Sequence, residues 1–197
     1  VYFVIMIIAL YYIGGSWQLN DMMNGLMKTQ LLLILLPVLL IMRVSKTDIK
    51  STFRLNYTSP LNFLLVIIAA LPLLLIAGIL GQLINYIFPV SESYVEALQN
   101  LITVKDSGLW FTLFVVGILP GICEEVMFRG FVLSALRKKG IWYGIILSAI
   151  LFGAFHLDPF RFVPVTLFGV WLGYVAVKTN SLYIPILAHF VQNSLTI

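Results

Sequence analysis

Long apolar runs that follow one another with little polar sequence between them are the feature that most limits how this chain can fold. The runs lie near residues 1–14, 28–43, 60–88, 108–136, 141–157, 162–178 and 181–197. About 20 apolar residues in a helix cross a bilayer, and fewer suffice where a segment packs against protein. Hydrophobic residues make up 61% of the chain and charged residues 10%, whereas soluble domains carry about 25% charged residues. The sequence therefore excludes a water-soluble globule and predicts an all-α, polytopic transmembrane helix bundle with about seven spans.

The runs leave no room for a separate soluble domain, so we expect one membrane-embedded domain over residues 1–197. Val1 already lies inside an apolar run, without the basic head or small-residue cleavage pattern of a signal peptide, which favours a trimmed first helix. Pro72 and Pro120 stand inside two of the runs and predict a kinked or split helix, because proline removes a backbone donor. The single cysteine, Cys123, cannot form an internal disulfide and is expected to pack inside the bundle.

The net charge of +4 comes from basic residues that concentrate in alternate loops. These residues are Arg43, Lys46, Lys50 and Arg54 in one loop, Arg137, Lys138 and Lys139 in a second, and Lys178 in a third. The loops between them are neutral or acidic and contain Asp21, Glu92, Glu96 and Asp106. The positive-inside rule predicts that the basic loops face the cytoplasm. The pattern indicates membrane lipids as partners and no nucleic acid, and it gives no indication of oligomeric state.

Ionisable side chains inside the apolar runs point to function, because each costs about 2.5–3.5 kcal/mol to insert at the centre of a bilayer. They are Glu124, Glu125 and Arg129 in one run, His156 in the next, and His189 in the last, where the amide Asn193 follows one turn later. Counting about 1.5 Å per helical residue from the basic ends puts Glu124, His156 and Asn193 about 20–22 Å deep and His189 about 14 Å deep. We therefore expect these side chains to face one cavity.

Helical spacing suggests how these groups pair. Glu125 and Arg129 are four residues apart with the acid first, which is the favourable order for an ion pair on one helix face. Glu124 is rotated by about 100° from Glu125 and is expected to be free of a partner. The four-residue spacing joins two further pairs, Phe152 with His156 and His189 with Asn193.

A carboxylate, two neutral imidazoles and an amide in a partly dry cavity can hydrolyse an amide bond. The carboxylate takes a proton from water, a histidine orients that water or binds a metal that activates it, and histidine with asparagine stabilises the oxyanion. The candidate catalytic residues are Glu124, Glu125, His156, His189 and Asn193, with Arg129 as the structural partner of Glu125. Buried Glu and His also serve in transporters and proton relays, and a silent scaffold that binds a partner in the membrane is a further alternative.

The sequence at these residues resembles the CAAX prenyl protease type II family of intramembrane metalloproteases, also called the CPBP or Abi family. The resemblance rests on three motifs: Glu124-Glu125 with Arg129 four residues later, Phe152-x-x-x-His156, and His189-x-x-x-Asn193. They occur in order, in three separate apolar runs of residues 108–197, which makes residues 1–107 accessory transmembrane helices.

The resemblance implies an intramembrane endopeptidase that cleaves a membrane-associated or lipidated, CAAX-type protein or peptide. Eukaryotic family members remove the last three residues of prenylated CAAX proteins, and a bacteriocin-immunity protein of the same fold is the alternative. The short loops and small size favour the cell membrane of a bacterium.

The resemblance also implies roles for individual residues. Glu124 and His156 would activate the water, while His189 and Asn193 would support the oxyanion and Arg129 would be structural. It further implies one divalent metal ion, most readily zinc, with Glu124, His156 and His189 as its ligands. Water activated by the glutamate without a metal is left open beside it.

Overall fold

The computed structural model describes residues 2–96 and 108–197, so Val1 and Asp106 lie outside the described residues. Within this part of the chain the regular elements are helices, which confirms the all-α prediction. The main helices are α1 Tyr2–Asn20, α2 Met22–Val44, α3 Pro60–Ile87, α4 Leu109–Lys139, α5 Ile141–Phe155, α6 Phe162–Thr179 and α7 Tyr183–Ser194. A one-turn helix, Ile49–Thr52, lies between α2 and α3.

Five of these helices, α1, α2, α3, α4 and α6, are long and apolar enough to cross a membrane. The chain is therefore an integral membrane protein with a helical bundle. The helices α5 and α7 correspond to two further predicted runs but have only 15 and 12 residues. The prediction of about seven spans therefore includes two helices that are shorter than the length usually needed to cross a bilayer.

The second helix begins earlier in the chain than the apolar run that predicted it. Helix α2 begins at Met22 rather than near residue 28, because the carboxylate of Asp21 accepts a hydrogen bond from the backbone N–H of Asn24 and caps the helix. Likewise α1 continues past Gly14 to Asn20. Polar residues at helix ends thus extended both helices beyond the apolar runs.

Neither Pro72 nor Pro120 splits its helix, and a kink, the other predicted outcome, stays a prediction. Pro72 lies inside the uninterrupted helix Pro60–Ile87, and membrane helices tolerate proline where local adjustments satisfy the freed backbone. Pro120 lies in the first turn of an α-helical segment of α4, directly after a π-helical segment, Leu113–Ile118. Because helical residues precede it in α4, Pro120 leaves a carbonyl of the preceding turn without that backbone donor.

The three basic loops meet at one end of the bundle. Asn56 donates a hydrogen bond to the carbonyl of Asn180, and Ser134 donates one to the carbonyl of Thr52. Arg54 differs from the other basic loop residues because its side chain is buried and donates to the carbonyl of Arg129. Burial lowers the pKa of Arg54 to about 10, which leaves it charged at neutral pH.

Helix α4 runs through the centre of the bundle and forms the core with α2 and α5. Its buried side chains Cys123, Met127 and Phe128 pack in one cluster with Ile34 of α2 and Phe152 of α5. Close helix approach requires small residues here. A Cβ atom at Gly121 would lie 3.2 Å from the carbonyl oxygen of Ile186, so α4 and α7 are in backbone contact beside the site.

Candidate active site

Polar side chains from four helices line one cavity of about 380 Å³. They are Gln30 of α2, Glu124 of α4, His156 at the end of α5, and His189 and Asn193 of α7. The structure therefore brings together four of the residues that the three motifs predicted. The other two, Glu125 and Arg129, are fully buried behind the cavity wall.

Glu125 forms the buried link between α4 and α7. Its Oε1 atom accepts hydrogen bonds from Nη1 of Arg129 at 2.7 Å and from Nδ1 of His189 at 2.8 Å. Nη2 of Arg129 donates to the carbonyl of Gly169 at 3.0 Å, and its guanidinium carbon lies 4.3 Å from the centre of the Phe152 ring. The predicted ion pair is therefore present, and it also holds the imidazole of His189, which the sequence did not indicate.

His189 consequently directs its other ring nitrogen toward Glu124. We assign a proton to Nδ1 because Glu125 can only accept at that contact when it is ionised. The Nε2 atom then lies 3.9 Å from Oε2 of Glu124. The two adjacent carboxylates thus lie on opposite sides of the His189 ring. Glu125 is hydrogen-bonded to Nδ1, and Glu124 lies near Nε2.

The expectation that Glu124 is free of a partner is wrong. Nε2 of Gln30 donates a hydrogen bond to Oε1 of Glu124 at 2.6 Å, and both side chains are only 5% exposed. The Oε2 atom of Glu124 has no hydrogen-bond partner among the described residues. Gln30 therefore fixes one carboxylate oxygen and leaves the second available at the cavity.

Gln30 was not predicted, because it is a neutral amide and the ionisable groups in the apolar runs were the signal for a site. The available signal was a single amide near the start of the run 28–43, where apolar residues otherwise follow one another. Neutral amides occur often in membrane helices, so one amide indicates a site only when a polar side chain that contacts it is also known. That partner, Glu124, lies 94 positions away in the chain.

One ring nitrogen of His156, Nδ1, is held by a hydrogen bond, and the other, Nε2, takes no part in that bond. Its Nδ1 lies 2.9 Å from the carbonyl of Phe152, a contact in which Nδ1 donates. The Phe152 ring packs edge-on against the imidazole with centres 4.9 Å apart, as the four-residue spacing predicted. This arrangement leaves Nε2 of His156 as an acceptor on a residue that lines the cavity.

Asn193 uses part of its amide to join two helices. Its Nδ2 donates to the carbonyl of Val116 at 3.0 Å. That carbonyl is four residues before Pro120, which has no N–H to donate to it. Because an amide nitrogen carries two hydrogens, Asn193 retains a second donor.

A second cavity, of about 310 Å³, adjoins the first and is mainly apolar. It lies between α3 and α6, and its lining includes Leu73, Leu80 and Phe168. His156, His189 and Asn193 line both cavities, so they stand in the wall that the two share.

The segment between α5 and α6 borders the second cavity, and Tyr94 contacts this segment. The Tyr94 hydroxyl donates to Oδ2 of Asp158 at 2.7 Å, and its ring lies 5.0 Å from that of Phe160. Burial and this hydrogen bond raise the pKa of Tyr94 to about 12, so the hydroxyl remains a donor at neutral pH.

The predicted metal ligands do not form a ligand cluster in this arrangement. Among the described residues, no three His, Cys, Asp or Glu side chains are grouped closely enough to hold a metal ion. Oε2 of Glu124 and Nε2 of His156 and His189 are the atoms left for a ligand in the cavity. Glutamate with two histidines is a donor set that zinc accepts, and the contacts of both Nδ1 atoms are of the kind that metal-binding histidines make. As arranged, however, the three side chains are not close enough together to hold the ion.

Comparisons with known proteins agree with the motifs. A family model described as "Type II CAAX prenyl endopeptidase Rce1-like" matches residues 106–195. A Bacillus subtilis (strain 168) protein with the name "Putative membrane peptidase YdiL" is 23% identical over 189 residues, which cover 94% of this chain and 77% of that protein. No solved structure matches the chain. The resemblance predicted from the three motifs is confirmed by both matches.

Proposed function

We propose that this chain hydrolyses a peptide bond with water activated by Glu124 and His156, and the match of residues 106–195 to the type II CAAX prenyl endopeptidase family model supports this proposal. One observation carries this proposal: Glu124, His156, His189 and Asn193, from three helices, line the same cavity. A packing role explains each residue alone but gives no reason for their meeting at a cavity.

In the proposed reaction, Oε2 of Glu124 takes a proton from water while Nε2 of His156 accepts the hydrogen bond of its other hydrogen. The water oxygen attacks the peptide carbonyl and forms a C–O bond. The second N–H of Asn193 donates to the developing oxyanion, and so would Nε2 of His189, whose Nδ1–H is held by Glu125, when Nε2 also carries a proton. Glu124 then delivers its proton to the leaving nitrogen as the C–N bond breaks. No step is derived through a metal.

The substrate we propose is a membrane-associated or lipidated peptide of CAAX type, from which the last three residues are removed. The apolar cavity between α3 and α6 supports this choice, since it provides an apolar wall directly beside the two histidines. A hydrocarbon chain or apolar side chains of the substrate would occupy it, with membrane lipids around the bundle. The Bacillus relative, together with the short loops, supports the cell membrane of a bacterium.

Replacing Glu124 tests the proposal. Glu124→Gln keeps the shape of the side chain and an oxygen that can accept from Gln30, but it removes the base. In lipid nanodiscs with a farnesylated CaaX peptide as substrate, we expect the rate of cleavage to fall at least 100-fold, within the range that general-base catalysis contributes. Glu92→Gln, at an exposed position, is the matched control and is expected to cleave normally.

Wild-type cleavage that persists in Glu124→Gln would contradict the assignment. Absence of cleavage by the wild-type protein on this peptide and on a mixed peptide library would favour a silent scaffold or immunity protein instead. The same assay with a chelator separates the two routes of water activation. Activity that survives chelation would establish activation without a metal, whereas a loss that zinc restores would establish metal assistance.

A further inference from the structure

Arg161 is a basic side chain on the cavity wall to which the mechanism above gives no role. It ends the segment that follows His156 and stands at the N-cap of α6. Its side chain is exposed, yet it lines both cavities together with His156, His189 and Asn193. A guanidinium is therefore available in the wall that the two cavities share.

The nearby acid does not neutralise this guanidinium. Both carboxylate oxygens of Asp158 have other donors: Oδ1 accepts from the backbone N–H groups of Phe160 and Arg161, and Oδ2 accepts from Tyr94. Within residues 2–96 and 108–197, no carboxylate forms an ion pair with Arg161. Among the residues that the structure describes, none accepts a hydrogen bond from its side chain, so its N–H donors face a group that enters the cavity.

The surroundings of Arg161 favour an anion. The first turn of α6 adds partial positive charge from its free backbone N–H groups. The basic loops that meet through Asn56 and Ser134 are at the other end of the bundle, where α4 ends and α5 begins, whereas Arg161 follows the end of α5. The positive charge at this end is thus local to the site.

We propose that Arg161 binds the free C-terminal carboxylate of the peptide substrate, and that the site thereby selects chain ends over internal segments. This inference rests on the proposed function. A CaaX sequence ends its chain three residues after the cysteine, and three extended residues span about 10 Å. A cavity of about 380 Å³ is of the size that encloses a short chain end.

Carboxylate geometry supports arginine in this role. The planar guanidinium can donate two parallel N–H bonds to one carboxylate, and such a charge-assisted pair is stronger than a neutral hydrogen bond. With the carboxylate held at Arg161, the peptide bond to be cleaved would lie near His156 and His189. The spacing between the anion and the reacting groups would then determine which bond is cut.

The experiment compares the farnesylated CaaX peptide as its free acid and as its C-terminal amide. We expect the wild-type protein to cleave the acid with a kcat/KM about 10- to 100-fold above that of the amide, mainly through a lower KM. Arg161→Gln should lower kcat/KM for the acid by the same factor and leave kcat/KM for the amide unchanged. Arg161→Lys should retain part of the preference, and Lys178→Gln, exposed at the opposite end, should retain all of it.

Equal cleavage of acid and amide by the wild-type protein would overturn the inference. So would an Arg161→Gln variant that slows both peptides equally, because a structural role affects the two alike. An effect of Arg161→Gln that depends on anionic lipid in the nanodisc, but not on the peptide end, would assign Arg161 to a lipid phosphate and also overturn it.

Binding measurements separate this inference from the proposed function. The same two peptides are titrated onto Glu124→Gln, which retains the cavity. Preferential binding of the acid that disappears in the Glu124→Gln, Arg161→Gln double variant supports the carboxylate site even if no cleavage is found. Equal binding of acid and amide overturns the carboxylate site while leaving cleavage by Glu124 intact.

Discussion

Glu124 and Glu125 are neighbours in the chain, yet their partners give them different tasks. Glu125 is fully buried and bonded to Arg129 and His189, so its charge is neutralised inside the bundle. One oxygen of Glu124 is hydrogen-bonded to Gln30, and the other has no hydrogen-bond partner within residues 2–96 and 108–197. At about 100° of helical rotation per residue, adjacent positions face different helices, which explains how one helix supplies both a structural and a reactive carboxylate.

We expect Gln30 to act as a positioning residue for Glu124. Gln30→Leu keeps the side chain large but removes the donor that fixes Glu124, so the carboxylate can rotate away from the water it activates. We expect kcat to fall about 10- to 100-fold, since misplacement of a catalytic group by about 1 Å has an effect of this size. KM should change little, because Gln30 is not needed to hold the peptide.

The control for Gln30→Leu is Gln82→Leu, which makes the same change at an exposed position of α3. Steady-state cleavage of the farnesylated peptide and the thermal unfolding midpoint are measured for both variants. A Gln30→Leu protein that keeps the wild-type kcat would show that the hydrogen bond does not position Glu124. A variant that loses only stability would point to packing alone.

Among the helices, the contact of α4 with α7 is the one that assembles the site. Gly121 allows the backbones to approach, and Asn193 of α7 donates to the Val116 carbonyl of α4. Pro120, four residues after Val116, has no N–H to donate to this carbonyl. We infer that the proline favours the bond from Asn193, a residue of the third motif.

A double-mutant cycle tests this explanation. Asn193→Leu leaves the Val116 carbonyl without its donor and should reduce the free energy of unfolding by about 1–3 kcal/mol. Pro120→Ala restores a backbone N–H four residues after Val116. The cost of Asn193→Leu should therefore be smaller in the Pro120→Ala background by about 1 kcal/mol, read from unfolding midpoints in detergent. Strictly additive costs would contradict the link between Pro120 and Asn193.

Across the whole molecule, the helical bundle and the convergence of the motif residues were predictable from sequence. The apolar runs determined where helices form, and the depth of Glu124, His156 and Asn193 from the basic ends indicated one common level. Both arguments depend on distance along a single helix, which the sequence contains.

What the sequence did not predict depends on contacts between helices. The bond from Gln30 to Glu124 and the bond from His189 to Glu125 join residues 94 and 64 positions apart, and neither follows from helical spacing. The burial of Arg54 is a similar case, because its loop reads as a solvent-exposed basic cluster until α4 is packed against it. Packing partners of this kind are decided by tertiary structure.

In the proposed reaction Glu124 and His156, from different helices, act together on one water molecule. The cleavage rates of Glu124→Gln, His156→Gln and the double variant under the same conditions in nanodiscs test this. Groups that act as a unit are strongly non-additive, so we expect each single variant to lose nearly all activity and the double variant to be no slower than the slower single variant. Losses that multiply in the double variant, or a wild-type rate in either single variant, would contradict this expectation.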